Sequence, residues 1–266
     1  MSRRFRAGAG RPEPLHGNNG GVTGDSEFTF VRIPELAGDM FDRFYHVVLE
    51  PAFPPEELED IDGVRAEYYA PSPAVPGVAA LRSDGDPVAG ALGDRYGDSN
   101  VVLLSYLAVR ADCRGTGIGS VLLDRALSSW RELLAPAAIL AEIEDPRGHA
   151  GDGPHGDPAA RLRFYERAGA KVLPLRYFQP SISQGAPRVR GMLLICLDPW
   201  RASMPKDVVL AFLDENMAAA EGPEAAATDP EYLALRGEAD AWPDEVVPLW
   251  PLSRATELPS DRQPGS

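Results

Sequence analysis

The sequence predicts an α/β (α+β) fold in which helices flank a central sheet, and three observations carry that expectation. Apolar residues recur at strand period in some segments and at helix period in others, and the two kinds alternate along the chain. A glycine-rich turn, Arg114-Gly115-Thr116-Gly117-Ile118-Gly119, joins an apolar strand to an amphipathic helix. The 266 residues suffice for one large domain, or one domain with an extension, around a real core.

Residues 1–26 carry Arg3, Arg4 and Arg6, then glycine, proline and asparagine with hardly any apolar side chain, the composition of a disordered tail. The Arg3-Arg4-Phe5-Arg6 run hints at an export signal, but no apolar segment of signal length follows it. Phe28 to Ile33 alternates as a strand. Phe41 to Leu49 reads as a helix with Phe41, Phe44, Tyr45 and Val48 on one face, and Phe53 to Leu58 starts a second helical stretch. Val78 to Leu81 and Val88 to Leu92, joined by Asp84-Gly85-Asp86, read as a hairpin.

Leu103 to Val109 is apolar on both parities, as suits a strand buried on both faces, and it breaks at Arg110. Beyond the glycine turn, Leu123, Leu127, Trp130 and Leu134 draw one apolar stripe down a helix that Pro136 ends. In the strand Ala137 to Glu144, Leu140, Glu142 and Glu144 share one face. A loop from Asp145 to Pro158 follows, then a helix from Ala159 to Ala168 closed by Gly169, then strands at Lys171–Val172 and Arg190 to Leu197. Lys206 to Glu221 and Asp229 to Ala239 read as helices of an acidic tail with an alanine-rich link. Trp242, Leu249, Trp250 and Leu252 require that tail to dock on an apolar surface, either of the domain itself or of a second subunit in a homodimer.

A formal net charge of −14 argues against nucleic-acid binding and welcomes a cationic partner such as an amine. Cys113 and Cys196 build neither a disulfide framework nor a metal cluster, which fits a reducing, cytoplasmic compartment. No metal is expected, because His149 and His155 lie in a glycine- and proline-rich loop without compact ligand spacing. No membrane association is expected either, since no stretch approaches the roughly 18 apolar residues of a membrane span.

A glycine turn that opens a helix gathers unpaired N–H groups and the positive end of the helix dipole at one point, which makes an anion site. Gly117 and Gly119 leave room for a phosphate, and Arg114 adds charge. The turn lacks the Gly-Lys-Ser/Thr of a nucleotide P-loop, and Ser120 stands where a dinucleotide fingerprint needs its third glycine. The pattern Arg-x-x-Gly-x-Gly directly after Leu107-Ala108-Val109 resembles the acyl-CoA site of the GNAT superfamily of N-acyltransferases. About fifty residues later, Arg163-Phe164-Tyr165-Glu166-Arg167-Ala168-Gly169 resembles the second GNAT signature. Pro158, beside Asp157, stands where the family often has asparagine, and Ala170 replaces the usual aromatic.

The resemblance implies a GNAT N-acetyltransferase domain over residues 27–198, with a mixed, mostly antiparallel sheet, followed by an acidic helical extension over 199–266. It implies acetyl-CoA as co-substrate, with Arg114, Gly115, Thr116, Gly117, Ile118, Gly119 and Ser120 around the diphosphate. Leu107, Ala108 and Val109 would offer backbone groups to pantetheine. The expected reaction is direct acetyl transfer to a primary amine of a small molecule or peptide. With an amine pKa near 10.4, only about one molecule in a few thousand is neutral at pH 7, so a base is needed. Glu142 is the first candidate and Glu144 the second, with Tyr165 as proton donor to the leaving thiolate. Two alternatives stand beside this reading: a non-catalytic acyl-CoA-binding module with a protein partner, and an acyltransferase that uses a longer acyl-CoA.

Overall fold

In the computed structural model, residues 28–55, 57–69, 77–149, 156–181 and 187–259 are described. The tail expected at 1–26 and His155 lie outside them. Eight strands come first in chain order: β1 (Phe28–Arg32), β2 (Val78–Arg82), β3 (Pro87–Tyr96), β4 (Val101–Val109), β5 (Ala138–Glu144), β6 (Lys171–Val172), β7 (Tyr177–Gln179) and β8 (Val189–Cys196). Next, β9 (Ser203–Pro205) and β10 (Val246–Pro248) pair with each other, and β11 (Trp250–Pro251) rejoins the main sheet. That sheet has nine strands, ordered β1-β2-β3-β4-β5-β8-β6-β11, with β7 also on β8. The β4–β5 pair is parallel and its neighbours are antiparallel, which is the mixed, mostly antiparallel arrangement expected.

The helices are α1 (Gly38–Phe44), which runs on into a π-helical turn at Tyr45–Leu49, α2 (Ile61–Tyr68), α3 (Ile118–Leu134), α4 (Pro158–Arg167), α5 (Lys206–Glu221), α6 (Pro223–Thr228) and α7 (Pro230–Asp240). On one face of the sheet, Leu122, Leu123, Ala126, Leu127 and Trp130 of α3 pack over Val102, Leu104, Ile139 and Ile143. Each leucine so buried contributes about 1.5–3 kcal/mol relative to an exposed one. The opposite face is covered in two parts. Phe41, Phe44, Val48 and Tyr68 cover Ala79, Leu92 and Ala108, while Phe212, Leu213, Met217 and Tyr232 cover Leu103, Leu140 and Leu194.

Two local expectations need correction. Phe53 does not open a helix: Pro54 and Pro55 hold the chain in turns, and α2 begins only at Ile61, where the Asp60 carboxylate accepts from the Gly63 N–H at 2.8 Å. The alanine-rich link is itself a helix, α6, with a proline in its first turn. The tail docks on the domain: Leu249 and Leu252 are buried, Trp242 packs against the core under α5, and Trp250 sits opposite Val172 in the sheet.

One irregularity positions everything that follows. Along β3 and β4, Leu92 pairs with Tyr106 but Gly93 pairs with Leu104, so Ser105 is an extra residue. A bulge of this kind bends the strand that carries it. Pairing of β4 with β5 runs from Val101–Ala138 to Leu104–Ala141 and stops there, although β4 continues to Val109 and β5 to Glu144.

Candidate active site

The gap beyond Leu104 and Ala141 belongs to a cavity of about 1080 Å³. Tyr165 and Arg161 of α4 line it on one side of the sheet. Asp94 and Tyr96 of β3, Glu142 of β5, and Glu215 and Asn216 of α5 line it on the other. Leu107 is part of its wall. The Arg110 N–H donates to the Val88 carbonyl at 2.9 Å, so strand alternation turns the backbone groups of Leu107 and Val109 away from β3 and toward the gap. Ala108 is buried and packs toward α1 and α2 instead. The Val109 carbonyl accepts from Arg114 Nε at 3.2 Å, which ties that guanidinium to the strand end.

The glycine turn has spare donors. Gly117 caps α3 at φ +88°, a conformation that requires glycine. Gly119 also serves packing: a Cβ there would lie 3.3 Å from Val109 Cγ2, so its absence lets α3 abut the end of β4. The Ile118 N–H reaches Thr116 Oγ1 at 3.5 Å and the Ser120 N–H reaches the Gly117 carbonyl at 3.1 Å. Among the described residues, the N–H groups of Gly115, Thr116, Gly117 and Gly119 have no protein partner. Free donors at a helix start, with Arg114 beside them, fit a diphosphate, and Leu107 and Val109 fit an amide-bearing chain laid along β4.

The two glutamates of β5 differ in surroundings. Glu142 Oε1 accepts hydrogen bonds from the Tyr177 hydroxyl and, at 3.4 Å, from Asn216 Nδ2. Burial pushes its carboxyl up to about 7; the bonds from Tyr177 and Asn216 oppose that rise, and nearby Asp94 adds to it. Glu144 is ion-paired with Arg161 at 2.7 Å. Tyr165 is 5% exposed, lines the cavity, and has no hydrogen bond to its hydroxyl among the described residues. Burial holds that hydroxyl protonated far above its ordinary range, with Arg161 opposing.

Residues 40–169 match the acetyltransferase (GNAT) family. That stretch belongs to the GNAT acetyltransferases. Several solved structures are similar to the chain. One is Ard1 from Thermoplasma volcanium, at 15% identity and a TM-score of 0.46, covering 64% of this chain and 96% of that one. Another is a GNAT-family acetyltransferase from Staphylococcus aureus, at 14% identity and a TM-score of 0.47, covering 64% and 99%. A third is the ribosomal-protein-S18-alanine N-acetyltransferase from Escherichia coli, at 16% identity and a TM-score of 0.43, covering 64% and 92%. No curated protein matches the chain. No helix among the described residues is long and apolar enough to cross a membrane.

Several residues in and beside this cavity escape sequence reasoning. Asp94 accepts from Ser105 Oγ at 2.5 Å and sits near Glu59 and Glu67, whose carboxyls are raised by burial first and by Asp94 next. Among the described residues none of Glu59, Glu67, Asp94 or Glu142 forms an ion pair. The GNAT resemblance places the segment Tyr177-Phe178-Gln179-Pro180 near the acceptor mouth, but not the contact of Tyr177 and Asn216 with Glu142, across 35 and 74 residues of chain. A lone aspartate in the apolar run of β3 was the one local signal available.

Proposed function

We propose that this GNAT chain transfers an acetyl group from acetyl-CoA directly to a primary amine that carries further positive charge. The observation that supports it most is the single cavity reaching from Leu107 and Tyr165 through the sheet gap to Glu142 and Asp94. Gly115, Thr116, Gly117 and Gly119 would hold the diphosphate, with Leu107 and Val109 holding the pantetheine arm. When bound, acetyl-CoA supplies an activated acetyl carbonyl.

The remaining chemistry belongs to side chains. Glu142, poised near 7, accepts the ammonium proton directly or through a water, and a base in that range matches the working pH. Glu144 is held by Arg161, so its part is to fix α4 beside β5. The buried, protonated Tyr165 hydroxyl donates toward the leaving sulfur. Glu59, Asp94 and Glu142 favour a cationic acceptor over a neutral one, because their charge has no arginine or lysine to balance it.

The test is release of free thiol from acetyl-CoA by the purified full chain with a panel of monoamines, diamines and peptides. Turnover is expected, fastest on acceptors with a second positive charge. Acetyl-CoA binding by calorimetry with silence across the whole panel would overturn the catalytic reading and leave a binding module.

A further inference from the structure

We infer that Asn216, on α5 and outside the family-matched segment, is a positioning residue that orients the Glu142 carboxylate together with Tyr177, so that the C-terminal extension completes the acceptor site. The inference rests on the reading of Glu142 as the base.

Asn216 is 7% exposed, and its amide is used at both ends. Its Oδ1 accepts from the Tyr96 hydroxyl at 2.8 Å, and its Nδ2 donates to the Tyr177 hydroxyl at 2.9 Å and to Glu142 Oε1 at 3.4 Å. The Tyr177 hydroxyl, with its oxygen engaged by Nδ2, spends its own proton on Glu142 Oε1. The chain therefore has one direction, from Tyr96 through Asn216 and Tyr177 to the carboxylate. With the amide flipped, Oδ1 would face a tyrosine oxygen whose proton is already committed, and two acceptors would meet in a buried place. A network satisfied in only one sense fixes its end group.

The network also sets the proton affinity of Glu142 against its other neighbours. Asp94 and Tyr96 approach from β3, Tyr177 from β7, Glu215 lies beside Asn216 on α5, and Glu144 with its partner Arg161 lies toward α4. Among these, the donors Tyr177 and Asn216 favour the charged carboxylate, and Asp94 disfavours it.

The experiment compares the full-length wild type with Asn216→Asp, which keeps shape but replaces a donor by a negative charge, and with Tyr177→Phe. Two readouts are taken: the pH profile of kcat with KM for acetyl-CoA, and the ¹³C NMR titration of the Glu142 side chain. In both variants the Glu142 midpoint and the acidic limb of kcat should rise by about one pH unit, with kcat near pH 7 down by about tenfold and KM for acetyl-CoA unchanged. A folded Asn216→Asp protein with the wild-type Glu142 midpoint and kcat overturns the inference. The NMR readout needs no acceptor, so a moved midpoint in a chain that acetylates no amine would uphold the positioning role while removing the catalytic one.

Discussion

Helix α5 touches two groups of carboxylates, and they are treated in opposite ways. At its C-terminal end Glu221 converges with Asp229 and Glu231 on Arg188, at 2.6, 2.9 and 2.9 Å. Hydrogen bonds from Arg188 hold Glu221 and Asp229 below their ordinary range, and Arg190, ahead of Arg188, does the same for Glu231. Five residues earlier on the same helix, Asn216 faces Glu142, which with Asp94, Glu59 and Glu67 forms no ion pair among the described residues. Those glutamates are held above their ordinary range by burial first, with Asp94 adding to the rise in each. The first group balances its charge internally and fastens the extension to the domain. The second holds its protons more tightly, and a cation arriving from outside would favour its charged form.

Breaking the contrast should give graded effects. The largest is expected for Glu142→Gln, which should lower kcat about 100-fold near pH 7, the low end of the range for general-base catalysis. The rate of the wild type should climb through pH about 7, where Glu142 loses its proton, and the variant should lose that step and shift its optimum upward. Initial rates between pH 6 and 9 check both. Arg188→Ala should cost about 2 kcal/mol in denaturant unfolding, less than a fully buried pair because its partners remain partly exposed. Tyr165→Phe should slow turnover about tenfold with acetyl-CoA binding intact, read from kcat and calorimetry. Asp94→Asn should raise KM for a dicationic acceptor a few-fold and leave KM for acetyl-CoA unchanged, a difference that falls as salt rises.

The smallest effect concerns stability. The folded chain holds the Glu142 proton to higher pH than the unfolded chain does, so this contribution is present below the unfolded pKa of about 4.3 and is lost as pH rises through about 7. Unfolding midpoints at pH 5 and 8 should differ more in the wild type than in Glu142→Gln.

Much of the scaffold can be read locally. Gly117 needs a positive φ, Leu123, Leu127 and Trp130 repeat at helix period, and Glu142 interrupts an apolar alternation, so the turn, α3 and β5 stand out in the sequence. The acceptor wall cannot be read that way. Asp94, Tyr177 and Asn216 reach Glu142 only because β3, β7, β8 and α5 are gathered by pairings that span long stretches of chain. Periodicity marks which face of an element is buried but not which neighbour it meets. The docking of the tail is legible in Leu249, Trp250 and Leu252, but nothing in its pattern marks Asn216 until α5 is laid across the sheet.

Ser105 carries a final consequence. Continued past Leu104 and Ala141, the β4–β5 register would set Ser105 opposite Glu142 and Leu107 opposite Glu144, gaining ladder bonds and filling the space between the strands. The surplus residue lies where that ladder stops. The protein thus keeps its cavity as an interruption in its own most regular element.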